Sequence, residues 1–421
     1  MKLVNRTLAL IVLLLAVFAG CADAKTPILL ATYGAEDPMV YTRHAKVAAV
    51  FNAAHPEYEL RIDAYPYNGY PEKIAVMVAA GAPPDIFQAW AQYKPQWVEQ
   101  GLLLDLTERW QSSVVIKRAR PYPFAEEAAS YKGRIYGVPH DYNARILVLN
   151  GDLVAQAGLV QPDTNWTMEA WQTYVRRLAK PTKGVYGSQL MGHWSTVNWQ
   201  WAVLFNGTGW LNDDRTDVCI EEPPMIEMLE MWLDLIYNYG AVPGPGVAAA
   251  RNEWDGGYGI FAGWVSTAFD LANRVNYDWR LMTFPLGPSN GDSFAQGHLW
   301  SIPFNAAKPD QSWQVLEWFL THEGQQAWVV HDNRQPIIQS SSLWEMYFSR
   351  LPTDQRRSVQ DFLMNTLYGE NRIHNMNYWT TYGELNTIMN RHLATVFSRA
   401  VSPQNAMANA AAEIRPVLRG K

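Results

Sequence analysis

Cysteine is almost missing from this 421-residue chain, which has only Cys21 and Cys219. A disulfide framework and a cysteine-based metal site are therefore excluded. Charge is also sparse, at 18% of residues, with a formal net of -6 and no long run of one sign. Without a basic stripe there is nothing to track a phosphate backbone, so no nucleic-acid partner is expected. H-E-x-x-H, C-x-x-C and the P-loop do not occur, and the nine histidines are scattered. Spacing thus points to no metal and no cofactor. After residue 25 no apolar stretch is long enough to span a bilayer.

What the chain has in excess is aromatic surface, with 19 Trp and 21 Tyr in a composition that is 48% hydrophobic. Such residues fill cores, and they also line clefts that stack against flat apolar faces. The length suits two lobes of roughly 150–200 residues better than one core.

The first 24 residues read as a signal peptide: Lys2 and Arg6 precede an apolar stretch at 8–18. The chain is expected to be exported. Two cleavage readings stay open. Ala22-Asp23-Ala24 fits an A-x-A site that releases a soluble protein, whereas Phe18-Ala19-Gly20-Cys21 is similar to a bacterial lipobox in which Cys21 is lipidated.

Periodicity predicts strand at 27–32, a helix carrying Val40, Val47 and Phe51 on one face, strand at 58–64, a helix through 74–80 and strand at Ile86-Phe87. Strand and helix alternating in this way imply an α/β fold with a largely parallel sheet, whose ligands gather at the carboxyl ends of the strands. The loops there carry Tyr33, Glu36, Asp37, Trp90 and Tyr93. A second α/β region starts near Asn143, with strands at 146–150, 184–189 and 279–284. Residues 195–275 read as mainly helical, and one long helix is expected at 309–330.

In this order the segments resemble the family 1 extracellular solute-binding proteins of ABC importers, a group that includes maltose- and multiple-sugar-binding proteins. The most specific piece is Tyr70-Pro71-Glu72-Lys73-Ile74 through Gly81 to Pro84-Asp85-Ile86-Phe87. Phe51-Asn52 with Pro56, the stretch Tyr131 to Pro139 followed by Asn150, Asn165-Trp166-Thr167, and Phe261-Ala262-Gly263-Trp264 add weaker landmarks. The resemblance implies a two-lobe clamp of the type II periplasmic-binding-protein kind with three interlobe crossings. It places lobe one at 26–141 plus 298–337 and lobe two at 142–297 plus 338–421. It also implies a monomer in the periplasm, or lipid-anchored at the outer face of the membrane. That monomer hands its ligand to the permease of an ABC importer and catalyses nothing.

A sugar site needs an aromatic face for the pyranose ring and planar groups for its hydroxyls. On that basis Trp264, Asp141 and Asn143 at the first crossing, Trp194, Trp199, Trp90, Tyr93, Tyr33, Glu36, Asp37, Trp300, Arg334 and Tyr378 are the candidate ligand contacts. Each has a plainer reading as a core aromatic, a helix cap or a hinge carboxylate. Asp37 in particular suits an N-cap. Two rival functions are weighed against the clamp. A secreted carbohydrate-active enzyme needs two carboxylates facing each other across the cleft. A clamp for a non-sugar solute such as an iron chelate or polyamine needs a cleft dominated by carboxylates or tyrosinates.

Overall fold

The computed structural model describes residues 25–163, 165–190, 195–247, 251–289, 293–368, 373–375 and 380–420. The signal-peptide segment and Cys21 lie outside these residues, as do Trp194 and Tyr378.

Apolar and amphipathic stretches alternate along the first ninety residues, and each becomes a strand or the helix after it. Strand β1 (Thr26–Tyr33) leads into helix α1 (Pro38–Ala54), where Asp37 accepts a hydrogen bond from the Met39 N–H and Pro38 sits in the first turn. That is where proline's missing N–H is tolerated. Strand β2 (Tyr58–Tyr65), helix α2 (Tyr70–Ala79) and strand β3 (Ile86–Ala89) follow. β1 pairs in parallel with both β2 and β3. Asp85, just ahead of β3, accepts from the Leu29 N–H at 2.8 Å and pairs with Lys308, a structural role. Short strand β4 (Val138–Pro139) then ends this part of the chain.

After residues 140–142 the chain enters a second sheet with β5 (Asn143–Asn150). Helix α3 (Met168–Leu178) is capped by Thr167, and β6 (Tyr186–Ser188) follows it. Their contact is so close that a Cβ on Gly187 would sit 1.7 Å from the Val175 carbonyl oxygen. Helix α4 (Pro223–Tyr237) buries the stripe Ile226, Leu229, Trp232 and Ile236. The region expected to be mainly helical then contains a central strand, β7 (Tyr258–Trp264). Three aromatics and an isoleucine within seven residues, bounded upstream by Gly256-Gly257, give it strand character that the glycines obscure in a periodicity count. Strands β8 (Trp279–Met282) and β9 (Ser293–Gln296) complete the passage.

The chain returns through Gly297-His298 into β10 (Leu299–Ser301), which joins the first sheet antiparallel to both β3 and β4. The first sheet runs β2-β1-β3-β10-β4, so β10 alone runs against the others and β4 returns to the sense of β1, β2 and β3. The expected long helix is two, α5 (Pro309–Phe319) and α6 (His322–Asp332). Thr321 breaks it: its hydroxyl caps the Gly324 N–H, which competes with helix continuation. Strand β11 (Ile373–Asn375) completes the second sheet, ordered β11-β9-β5-β7-β6 with β8 beside β5. Helix α7 (Tyr382–Phe397) packs against the helix at the end of the chain.

Each sheet has its own core. Ile28, Leu30, Phe51, Ile74, Phe87 and Leu316 belong to the first. The second sheet is covered on both faces, so alternate residues of β5 point into different layers. Leu147 and Leu149 meet Trp171, Trp201 and Trp232, whereas Ile146 and Val148 meet Phe261, Phe269 and Tyr347. Much of the aromatic excess is absorbed here. After α6 the chain stays with the first core through Ile337, Ile338 and Leu343 before Trp344 and Tyr347 pack on the second sheet.

Candidate ligand-binding cleft

The ends of strands from both sheets converge on one cavity of about 550 Å³. One wall is aromatic and comes from the first sheet. Tyr33 ends β1, Trp90 and Tyr93 follow β3, and Tyr67 lies between β2 and α2. Trp90 is the hub of this wall. Its ring stacks on Tyr70 at 5.4 Å, meets Tyr33 edge-on at 5.4 Å and lies 4.8 Å from Tyr67. The indole Nε1 of Trp90 and the Oε1 of neighbouring Gln92 are buried and have no hydrogen-bond partner among the described residues. A donor and an acceptor left over beside a cavity are costly unless something completes them.

The opposite wall is built on β5 and β7. Because the two are antiparallel, Arg145 near the start of β5 is paired with Trp264 at the end of β7. The guanidinium carbon lies 3.7 Å from the indole centroid, a cation–π stack that fixes the orientation of both. Asn143, two residues earlier on the same face, donates to Ser266 Oγ at 2.8 Å and accepts from the Ser266 N–H. Gln296, Asn386, Asn390 and Tyr382 complete this side.

The floor lies where the chain passes between sheets. Arg334 Nη1 donates to Asp141 Oδ2 at 2.8 Å, and Arg334 Nε donates to Asp332 Oδ2 at 2.7 Å. Asp141 also accepts from the His298 N–H at 3.0 Å. Burial opposes the charge on Asp141, yet the Arg334 guanidinium and His298 hold its carboxyl below the usual range. Burial and the same guanidinium push His140 down to about 4. Desolvation in the cavity wall takes Tyr33 up to about 12, so it stands there as a neutral phenol.

Seven of the residues picked from sequence meet around this cavity: Trp264, Asp141, Asn143, Trp90, Tyr93, Tyr33 and Arg334. Four do not. Trp300 is fully buried in the first core, stacked on Trp328 at 5.6 Å, because β10 is a central strand with both faces covered. Trp199 is buried against Phe294, with ring centroids 4.5 Å apart. Asp37 is spent as the cap of α1, and Glu36 accepts from the Tyr67 N–H, holding the loop that carries Tyr67. Arg145, Tyr67, Gln92, Gln296, His298 and the α7 residues were not anticipated. Arg145 was within reach, since β-strand alternation from Asn143 places it on the same face. The α7 residues had no such signal.

A model of the bacterial extracellular solute-binding protein family matches residues 46–350. The chain belongs to that family. Among solved structures, an ABC substrate-binding protein from Listeria monocytogenes in complex with cycloalternan is 18% identical. It superposes with a TM-score of 0.82 over 94% of this chain and 99% of that one. A tagatose-bound solute-binding protein of an ABC transporter from Thermotoga lettingae gives a TM-score of 0.77 at 15% identity, over 94% of this chain and 100% of that one. Maltose-bound MalE3 of T. maritima gives 0.76 at 16% identity, over 93% and 100%. The α/β two-lobe clamp is thus the fold of this family member.

Proposed function

We propose that this protein is exported, captures a carbohydrate in the cleft between its lobes and delivers it to the permease of an ABC importer. The observation that carries the reading is the composition of the two walls. Trp264 stacked on Arg145 faces an aromatic wall centred on Trp90, with six side-chain amides (Asn68, Gln92, Asn143, Gln296, Asn386 and Asn390) around them. Flat apolar faces combined with planar donors and acceptors suit a sugar ring and its hydroxyls. The three neighbours above, solved with cycloalternan, tagatose and maltose, support the same class of cargo.

Among the described residues the carboxylates lining the cavity are Glu72 and Asp141, and Asp141 is held by Arg334. This arrangement favours binding over hydrolysis, which asks for one carboxyl free to act as acid and another as base or nucleophile. It equally disfavours a cationic solute. We place lobe one at 26–141 plus 298–337 and lobe two at 142–297 plus 338–421, which the membership of the cores supports apart from Ala91, Ala128, Val329, Ile338 and Leu343. The leader at 1–24 would direct export, with either a soluble periplasmic form or a Cys21-linked lipid anchor.

A thermal-shift screen of the mature protein against mono-, di- and oligosaccharides tests the cargo. At a hundred times its dissociation constant a ligand stabilises the native state by about 2.7 kcal/mol, a shift of a few degrees. A shift with intact sugar recovered supports capture; recovery of cleaved sugar, or no shift across the panel, overturns it.

A further inference from the structure

Behind the floor of the cleft, on the side away from the cavity, His44, His140 and Asp332 converge from three parts of the chain. His44 is on α1, His140 is in the first passage between sheets, and Asp332 ends α6 just ahead of the last one. All three are buried, at 1%, 3% and 4% exposure. Both histidine Nε2 atoms lie 3.4 Å from the same Asp332 Oδ2. Among the described residues neither Nε2 has a hydrogen-bond partner, and neither does His44 Nδ1.

The two nitrogen–oxygen separations match those around a first-row transition metal, and the three ligand atoms all lie within 4.8 Å of one another. Zinc–ligand bonds of about 2.0–2.1 Å at tetrahedral angles put neighbouring ligand atoms about 3.3–3.4 Å apart. Unpartnered imidazole nitrogens in a dry core are also what a ligand set shows when its own nitrogens are reserved for a cation. The outer contacts fit as well. His140 Nδ1 lies 2.8 Å from Gln88 Nε2, and Gln88 Oε1 accepts from the Thr32 hydroxyl at 2.9 Å. A half-turn of the Gln88 amide presents its carbonyl to His140 Nδ1–H and its NH2 to the Thr32 oxygen. In that orientation His140 Nε2 is free to ligate, whereas the unturned amide donates to Nδ1 and leaves the proton on Nε2. Arg334 Nε, on Asp332 Oδ2, supplies the hydrogen bond that ligating carboxylates commonly keep.

We infer that His44, His140 and Asp332 form a structural binding site for a zinc-type divalent cation that ties α1, the first passage and the end of α6 together at the hinge. The chemistry selects imidazole-loving metals over calcium or magnesium, which prefer an all-oxygen shell. Three protein ligands leave a fourth position for a water or for the second oxygen of Asp332.

The test uses untagged, full-length mature protein purified without chelator. Metal analysis is expected to find one equivalent of zinc per chain. Dialysis against EDTA should lower the melting temperature, and zinc should restore it. Cobalt(II) added to the stripped protein should give the visible absorption of a low-coordinate site, and His44→Gln and His140→Asn should each abolish that spectrum. The cobalt experiment on the unaltered chain remains decisive even if both variants misfold. Protein that carries no stoichiometric metal, shows no cobalt bands and melts identically with EDTA and with zinc overturns the site, leaving a metal-free His–Asp–His contact.

Discussion

Asp141 and Arg334 are 193 residues apart in sequence and meet at 2.8 Å, one in the first passage between the sheets and the other beside the last. The pair therefore closes a loop through both lobes at the point about which they would bend. Removing one partner of a buried pair costs about 3–5 kcal/mol when the other is left uncompensated. Asp141→Asn leaves Arg334 its bond to Asp332 and is expected to lower stability by less, about 1–3 kcal/mol in calorimetry. Arg334→Met deprives Asp141 and Asp332 of the guanidinium together, so it should cost more than Asp141→Asn, about 3–5 kcal/mol.

Trp264 offers its face to the cavity with Arg145 stacked on it. Trp264→Ala is expected to weaken binding of the cognate sugar about tenfold to a hundredfold, near 1.4–2.8 kcal/mol, by titration calorimetry. An unchanged affinity would return Trp264 to a packing role.

Trp300 makes the opposite case. It is fully buried among Trp328, Phe319 and His140. Truncation to Ala should cost about 3–5 kcal/mol of stability. In the gentler Trp300→Phe variant the denaturation midpoint should fall while sugar affinity holds, and a large loss of affinity at unchanged stability would contradict its placement.

At Gly187 the backbones of β6 and α3 leave no room for a side chain, since an added Cβ would meet the Val175 carbonyl oxygen. Both neighbours are backbone, so neither yields cheaply. Gly187→Ala should destabilise by about 3 kcal/mol in urea unfolding, the upper end for overpacking.

Lys94 is buried, donating to the carbonyls of Ala128 and Ser130 at 2.7 Å each, and burial takes its ammonium down to about 8. In the unfolded chain it titrates near 10.4. Between these values the unfolded state holds more of the proton, so this group's contribution to stability grows as pH rises from about 8 to about 10. Relative to Lys94→Met, the wild-type chain should gain about 1–2 kcal/mol over that interval, measured by urea midpoints. A flat difference would mean that the two carbonyls hold the ammonium charged.

The α/β order of the first lobe was legible because each of its elements carries its own period: Val47 and Phe51 on a helix, Ile28 and Leu30 on a strand. Strand β7 was not, because glycines at 256, 257, 259 and 263 interrupt the pattern and its pairing partner lies more than a hundred residues earlier. The same divide runs through the site. Tyr33 ends one strand and Trp90 follows another, so both could be reached by topology. Asn386 and Asn390 lie one helical turn apart on α7, a helix whose sequence says nothing about which sheet it approaches. Nor does any spacing reveal that positions 44, 140 and 332 meet.

The late arrival of β10 bears on how the protein is made. It is inserted between β3 and β4, yet it leaves the ribosome about 160 residues after Pro139. At roughly 5–20 residues per second, that is ten to thirty seconds during which the first sheet lacks its bridging strand. Through that interval the nascent chain cannot close its N-terminal core. Completion of the first lobe thus waits until most of the second has been made.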